Sequence, residues 1–163
     1  MSGLALMLLS CARGPIVEPD ISAECYHRPQ SLDAVCYVIT DSDIAPYVDV
    51  VTFLKVDGYL KFKSAEQYVI ARPGGVTYSD GGKYLAESFT EEGHPHFIFY
   101  DADVYFASLT PESSGFLEDY YLQAIESFSD AGVFTYSIDS QACDANRTGQ
   151  QPCRRSFQIK AER

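Results

Sequence analysis

The chain has 163 residues, 46% hydrophobic and 21% charged, which suits one globular domain with an ordinary buried core. Its net charge is -11, from 12 basic and 23 acidic residues, and its basic clusters are confined to Arg154-Arg155 and the end Lys160 to Arg163. Nucleic-acid binding depends on a basic face, so that class of function is set aside.

The segment Met1 to Cys11 holds a short apolar run that ends Leu8-Leu9-Ser10-Cys11. This resembles a bacterial lipobox, in which the Cys is acylated after the leader is cut. On that reading residues 1–11 are leader and anchor, with Cys11 the lipidation site. No Lys or Arg precedes the run, and the run is shorter than the usual ~7–15 residues. The alternative is a buried N-terminal strand or helix. Residues 12–31 are polar, contain Pro15, Pro19 and Pro29, and lack a period, so they read as a tether. Residues 32–163 are then a single globular domain.

Within that domain, Val35, Tyr37 and Ile39 alternate with Cys36, Val38 and Thr40 as a strand that Asp41-Ser-Asp43 ends. Val50 to Val56 and Tyr59 to Phe62 flank Asp57-Gly58, a hairpin signal because both turn positions need positive φ. Ser64 is placed to cap a short helix through Val69 or Ile70, stopped by Pro73-Gly74-Gly75. Lys83 to Phe89 fits helix and strand equally. Phe97 to Tyr100 and Val104 to Leu109 read as two short strands, or one bent strand, separated by Asp101-Ala-Asp103.

The clearest helical pattern is next. Phe116, Leu117, Tyr120, Tyr121, Ala124, Ile125 and Phe128 make an i, i+3, i+4 stripe opposite Glu118, Asp119, Gln123 and Glu126. This predicts one main amphipathic helix over about 114–129, with Gly132 as its stop. Phe134 to Ile138 and Phe157 to Ala161 then alternate as the two arms of a hairpin. The expected fold class is α+β: an antiparallel or mixed sheet with that helix packed on one face.

Apart from Cys11 the chain carries Cys25, Cys36, Cys143 and Cys153, two local pairs far apart in the chain. Four cysteines allow three connectivities; the simplest is Cys25–Cys36 with Cys143–Cys153, since short loops close easily. Disulfides persist in oxidising compartments, which agrees with export. The alternative is four unpaired core thiols. Asn146-Arg147-Thr148, between the second pair, has the form of a glycosylation sequon.

Three clusters could carry chemistry. His94-Pro95-His96 places two imidazoles on one side of an extended segment, and with Asp101 they are sufficient donor types for zinc or copper. The alternative is a loop with solvated histidines. Asp41-Ser-Asp43 and Asp101-Ala-Asp103 are like fragments of calcium loops but lack the distal Gly and Glu, and read as strand-end turns. Glu91-Glu92 could do acid–base work, yet no nucleophile elbow, zinc helix or phosphate-cradling loop accompanies them. The aromatic runs, from 12 Tyr and 10 Phe with no Trp, suit a sheet core or a binding groove.

In order, Leu8 to Cys11, Cys36-Tyr-Val-Ile-Thr-Asp, Val56-Asp-Gly-Tyr-Leu-Lys-Phe-Lys-Ser, Phe97-Ile-Phe-Tyr-Asp-Ala-Asp-Val-Tyr-Phe and Leu122-Gln-Ala-Ile-Glu-Ser-Phe-Ser-Asp-Ala resemble segments of the nitrous-oxide-reductase accessory lipoproteins. The resemblance implies an envelope lipoprotein that serves copper delivery. It departs at the metal motif, where that family pairs two close cysteines with a Gly-Met. Here Cys25 lies eleven positions before Cys36, and both methionines, Met1 and Met7, are in the leader.

The sequence thus favours a non-catalytic envelope lipoprotein, periplasmic or at the outer membrane, held to the membrane through Cys11. Its folded body would bind a protein or small-ligand partner. The alternatives are a copper or zinc accessory protein using His94, His96 and Cys36, a small exported hydrolase, and a secreted form.

Overall fold

The computed structural model describes residues 21–41, 47–69, 72–91, 93–139, 142–143 and 153–159. Cys11 and the leader, Asp43, Glu92 and the Asn146 sequon lie outside them.

Three antiparallel meanders follow one another along the chain. Strands β1 (Ile21–His27), β2 (Ala34–Asp41), β3 (Tyr47–Val56) and β4 (Tyr59–Val69) form a first sheet in sequence order. Strands β5 (Arg72–Tyr78), β6 (Tyr84–Glu91), β7 (His94–Asp101) and β8 (Gly115–Glu118) form the central sheet, also in order. Strands β9 (Leu122–Phe128), β10 (Val133–Ile138) and β11 (Cys153–Gln158) form a third, ordered β11-β10-β9. One short helix, α1 (Ala102–Ala107), is found among the described residues. The α+β class therefore holds, with every sheet antiparallel.

The central sheet is buried on both faces. Val76 and Leu85 join Val35, Tyr37, Val48, Val50 and Leu54 of the first sheet, with Ala102, Tyr105 and Phe106 of α1, in one core cluster. Tyr84, Ala86, Phe97, Phe99 and Leu117 point the other way and meet Phe128, Phe134, Tyr136 and Ile138 of the third sheet. Side chains alternate along a strand, so one sheet feeds two cores and the molecule has three layers.

Local chemistry explains the turns. Asp57 and Gly58 both have positive φ, 50° and 86°, as the two-residue hairpin turn joining β3 to β4 requires. Gly132, at φ 77°, turns β9 into β10 rather than ending a helix. Both disulfides form as the spacing suggests. Cys25 and Cys36 sit directly opposite each other on β1 and β2, with Cα atoms 4.1 Å apart. Cys143–Cys153 bridges Cα atoms 6.0 Å apart at the start of β11.

Several expectations are corrected. The helix over 114–129 is replaced by β8 and β9, with a turn at Asp119. The apolar stripe does not share a face: Leu117 and Phe128 are buried, whereas Phe116, Tyr120, Tyr121 and Ile125 are exposed. Pairing of β9 with β10 satisfies the backbone that a helix would have satisfied internally. The helix after Ser64 is likewise strand β4, paired along its length with β3. Strand β1 occupies residues that read as tether; it lacks a hydrophobic period because it is an edge strand with mostly exposed side chains.

The helix that does form begins where a strand separator was expected. Asp101 caps α1, its carboxylate accepting from the backbone N–H groups of Asp103 and Val104 at 2.9 and 3.2 Å. Asp101→Ala should cost about 1 kcal/mol in urea-unfolding stability. An unchanged midpoint would show that α1 is held by Tyr105 and Phe106 alone.

Candidate functional site

Glu87 is the least expected residue beside the first core cluster, its side chain 20% exposed. It lies on β6 with Leu85 and Phe89, facing the first sheet, and its neighbours in register are Val76 and Ile98. A carboxylate between two aliphatic residues in a doubly covered sheet costs free energy unless it is paired. Tyrosine hydroxyls and a lysine meet it. The hydroxyl of Tyr37, from β2, donates to Oε1 at 3.0 Å, and the Tyr105 hydroxyl of α1 donates to the same oxygen. Lys63 Nζ stands 3.9 Å away.

Lys63 reaches this point through a bulge. The register of β3 against β4 pairs Thr52 with Ser64 but Phe53 with Phe62, leaving Lys63 as the extra residue. A bulge re-aims a side chain, here toward the central sheet. The Lys63 side chain is 11% exposed, and its ammonium sits 3.4 Å from the centroid of the Tyr105 ring. Burial pulls its pKa below the ordinary lysine value, while the carboxylates of Glu87 and Glu66 oppose that shift. Burial also pushes the phenols of Tyr105 and Tyr100 well above their ordinary value, with Glu87 adding to the rise.

Tyr37, Lys63, Glu87 and Tyr100 line a cleft of about 400 Å³ between the first and central sheets. Val50, Thr52, Ser64 and Glu66 form one wall with Lys63. Phe89, Ile98 and Tyr100 form the other with Glu87, and each of those three is only half-buried. The two sheets pack closely around Leu54 and Leu85 and leave this space beside them.

The histidines lie on the same face of the central sheet, beyond Phe89. His96 is 6% exposed; its ring stacks on Phe89 at 5.1 Å between centroids and lies 6.1 Å from Phe116. His96 Nδ1 is buried without a hydrogen-bond partner. His94 meets the Tyr120 ring edge-on at 4.5 Å. Asp101 does not join them. It is five residues along β7 from His96, on the opposite face by parity, and its carboxylate is used in capping α1. Five strand residues span about 17 Å. Cys36 is disulfide-bonded and presents no thiolate. Among the described residues no group of three or more His, Cys, Asp or Glu is placed to hold a metal ion. The proposed His94, His96, Asp101 donor set is therefore not assembled.

Sequence reasoning missed Lys63 and Glu87. Their signal was a charge at an inward position of an alternating run: Leu85, Glu87, Phe89 on β6. That parity is visible only once Lys83 to Phe89 is known to be a strand.

No protein-family model, curated protein or solved structure matches the chain.

Proposed function

We propose that this chain is an exported cell-envelope lipoprotein, anchored through Cys11, whose folded body binds a small ligand in the cleft between the first and central sheets. The observation that carries the binding role is the Lys63–Glu87 pair in the cleft. The two side chains are 11% and 20% exposed, and a largely buried ion pair is commonly no more stabilising than apolar residues of equal volume, so its presence beside a cavity favours a role in recognition. We infer binding rather than catalysis because Tyr37 and Tyr105 both donate to Glu87, an arrangement that fixes shape and leaves no base free at that oxygen. The envelope location is supported by the Leu8-Leu9-Ser10-Cys11 run and by two disulfides, which suit an oxidising compartment. The segment order shared with the nitrous-oxide-reductase accessory lipoproteins is taken as a likeness of setting, without their copper motif.

The test separates recognition from stability. The double variant Lys63→Met, Glu87→Gln removes both charges and keeps volume and an acceptor for the tyrosines. It should unfold in urea at a free energy equal to wild type or up to about 2 kcal/mol higher. A loss of more than about 2 kcal/mol would make the pair a structural element and remove the basis for the site. Labelling the full chain in a bacterial host with an alkyne fatty acid tests the anchor: label should appear in the membrane fraction and vanish in Cys11→Ser.

A further inference from the structure

We propose that the occupant of this cleft is a neutral pyranose sugar, an inference that rests on the cleft being a binding site. Charge comes first. Among the described residues that line the cleft there is one cation, Lys63, and there are two carboxylates, Glu66 and Glu87, on a chain of net charge -11. A simple anion meets a net negative surface, and a simple cation meets a buried ammonium. A neutral molecule rich in hydroxyls meets neither obstacle. Each hydroxyl both donates and accepts, so it can give a hydrogen bond to a carboxylate and take one from an ammonium.

The arrangement of Lys63 suits that use. Its Nζ is 3.9 Å from Glu87 Oε1, past hydrogen-bonding reach, because the hydroxyls of Tyr37 and Tyr105 occupy that oxygen. The ammonium is thus held in place by charge and by the Tyr105 ring. The hydroxyls of Thr52 and Ser64 lie along the same wall.

The opposite wall sets apolar and aromatic side chains beside Glu87. Phe89, Ile98 and Tyr100 line the cleft on this side, and the His96 ring backs Phe89 at 5.1 Å between centroids. The C–H face of a pyranose ring is apolar and packs on aromatic rings, while its rim of hydroxyls needs polar partners. The polar partners for that rim within the cleft are Lys63, Glu66 and Glu87 with the hydroxyls of Thr52 and Ser64. The cavity, about 400 Å³, lies within the size range of small-molecule sites.

Amide NMR titration of the full chain tests this with methyl β-glucoside, methyl α-mannoside and N-acetylglucosamine. Glucuronate, glucosamine and phenylalanine serve as charged comparisons. At least one neutral sugar should shift the resonances of Lys63, Glu87 and Phe89, and bind at least tenfold more tightly than glucuronate or glucosamine. Its affinity should fall at least tenfold in Glu87→Gln and in Phe89→Leu, which keeps an apolar side chain in the wall and removes the ring. Tighter binding of a charged probe at the same resonances overturns the sugar assignment and leaves the cleft as a site for another ligand. No shift in the cleft with any probe overturns both.

Discussion

Phe99→Ala is expected to lower the unfolding free energy by about 3–5 kcal/mol. Phe99 is fully buried on β7, and its ring lies 5.0 Å from Phe157, 5.1 Å from Phe134 and 5.8 Å from Phe128. It is the residue through which the central sheet grips the third. Its strand partners are small: Ala86 on β6 and Gly115 on β8. A Cβ at Gly115 would lie 3.0 Å from the Phe157 ring, so this space is already filled by aromatic side chains. Removing the phenyl group leaves a void walled by rings on two sheets, which cannot close without moving a strand. Urea denaturation should show a lower midpoint with an unchanged slope, since the surface exposed on unfolding is nearly the same. Phe99→Leu, which keeps much of the volume, should recover most of the loss. A loss below about 1 kcal/mol in Phe99→Ala would mean that the third sheet is not packed on the central one.

What could be read from the sequence follows from how local each signal is. Asp57-Gly58 marks its hairpin because the turn itself demands positive φ at both residues. The cysteine pairs are legible because each closes a short loop. The run from Phe97 to Tyr100 reads as a strand because it is apolar at every position, as a doubly covered strand should be. Phe116 to Phe128 failed for a specific reason. Two short strands joined by a turn happen to repeat apolar residues at helical spacing. The sequence mark of the turn was Asp119, whose carboxylate accepts from the Tyr121 N–H while Leu122 N–H donates to the Asp119 carbonyl. Such an Asx-type turn competes with helix through local hydrogen bonds. Helix α1 failed in the opposite sense: six residues are too few to show a helical period, and only the Asp101 cap announces it.

The candidate site was less legible still. Glu87 and Lys63 are 24 positions apart and are brought together by a bulge on one sheet and by the parity of a strand on another. Neither device has a sequence signature that stands alone. The histidine pair, in contrast, was visible as a pair, and the structure does place both on one face. Asp101, its expected third member, went to a cap because strand parity turns it away.

Asp119 carries the second large expectation, and it depends on pH. The residue is 8% exposed at the β8–β9 turn, where it ties three elements together. Its Oδ1 accepts from the Tyr121 N–H at 3.1 Å, and its Oδ2 accepts from Tyr136 Oη at 3.0 Å and Arg155 Nη1 at 2.7 Å. Burial works to raise its pKa, but hydrogen bonds from Tyr121, Arg155 and Tyr136 outweigh it and hold the carboxyl below the usual carboxylate range. Tyr136 responds in the opposite direction: burial, with Asp119 beside it, pushes its phenol up to about 12. Asp119→Ala should cost about 2–4 kcal/mol near neutral pH, because it strands the Tyr136 hydroxyl and breaks a partly buried ion pair. The figure sits below that for a fully buried pair because the Arg155 side chain is 45% exposed and water takes up part of its charge. Asp119→Asn, which keeps acceptor oxygen but no charge, should cost less. The stability gap between wild type and Asp119→Asn isolates the charge. A carboxyl with a depressed folded pKa stabilises fully above its unfolded value, near 4, and loses that stabilisation as pH falls through the folded value. The gap should therefore be flat from about pH 7 down to about pH 5 and narrow below about pH 4. A gap that widened on acidification would mean that burial, and not the three donors, governs this carboxylate.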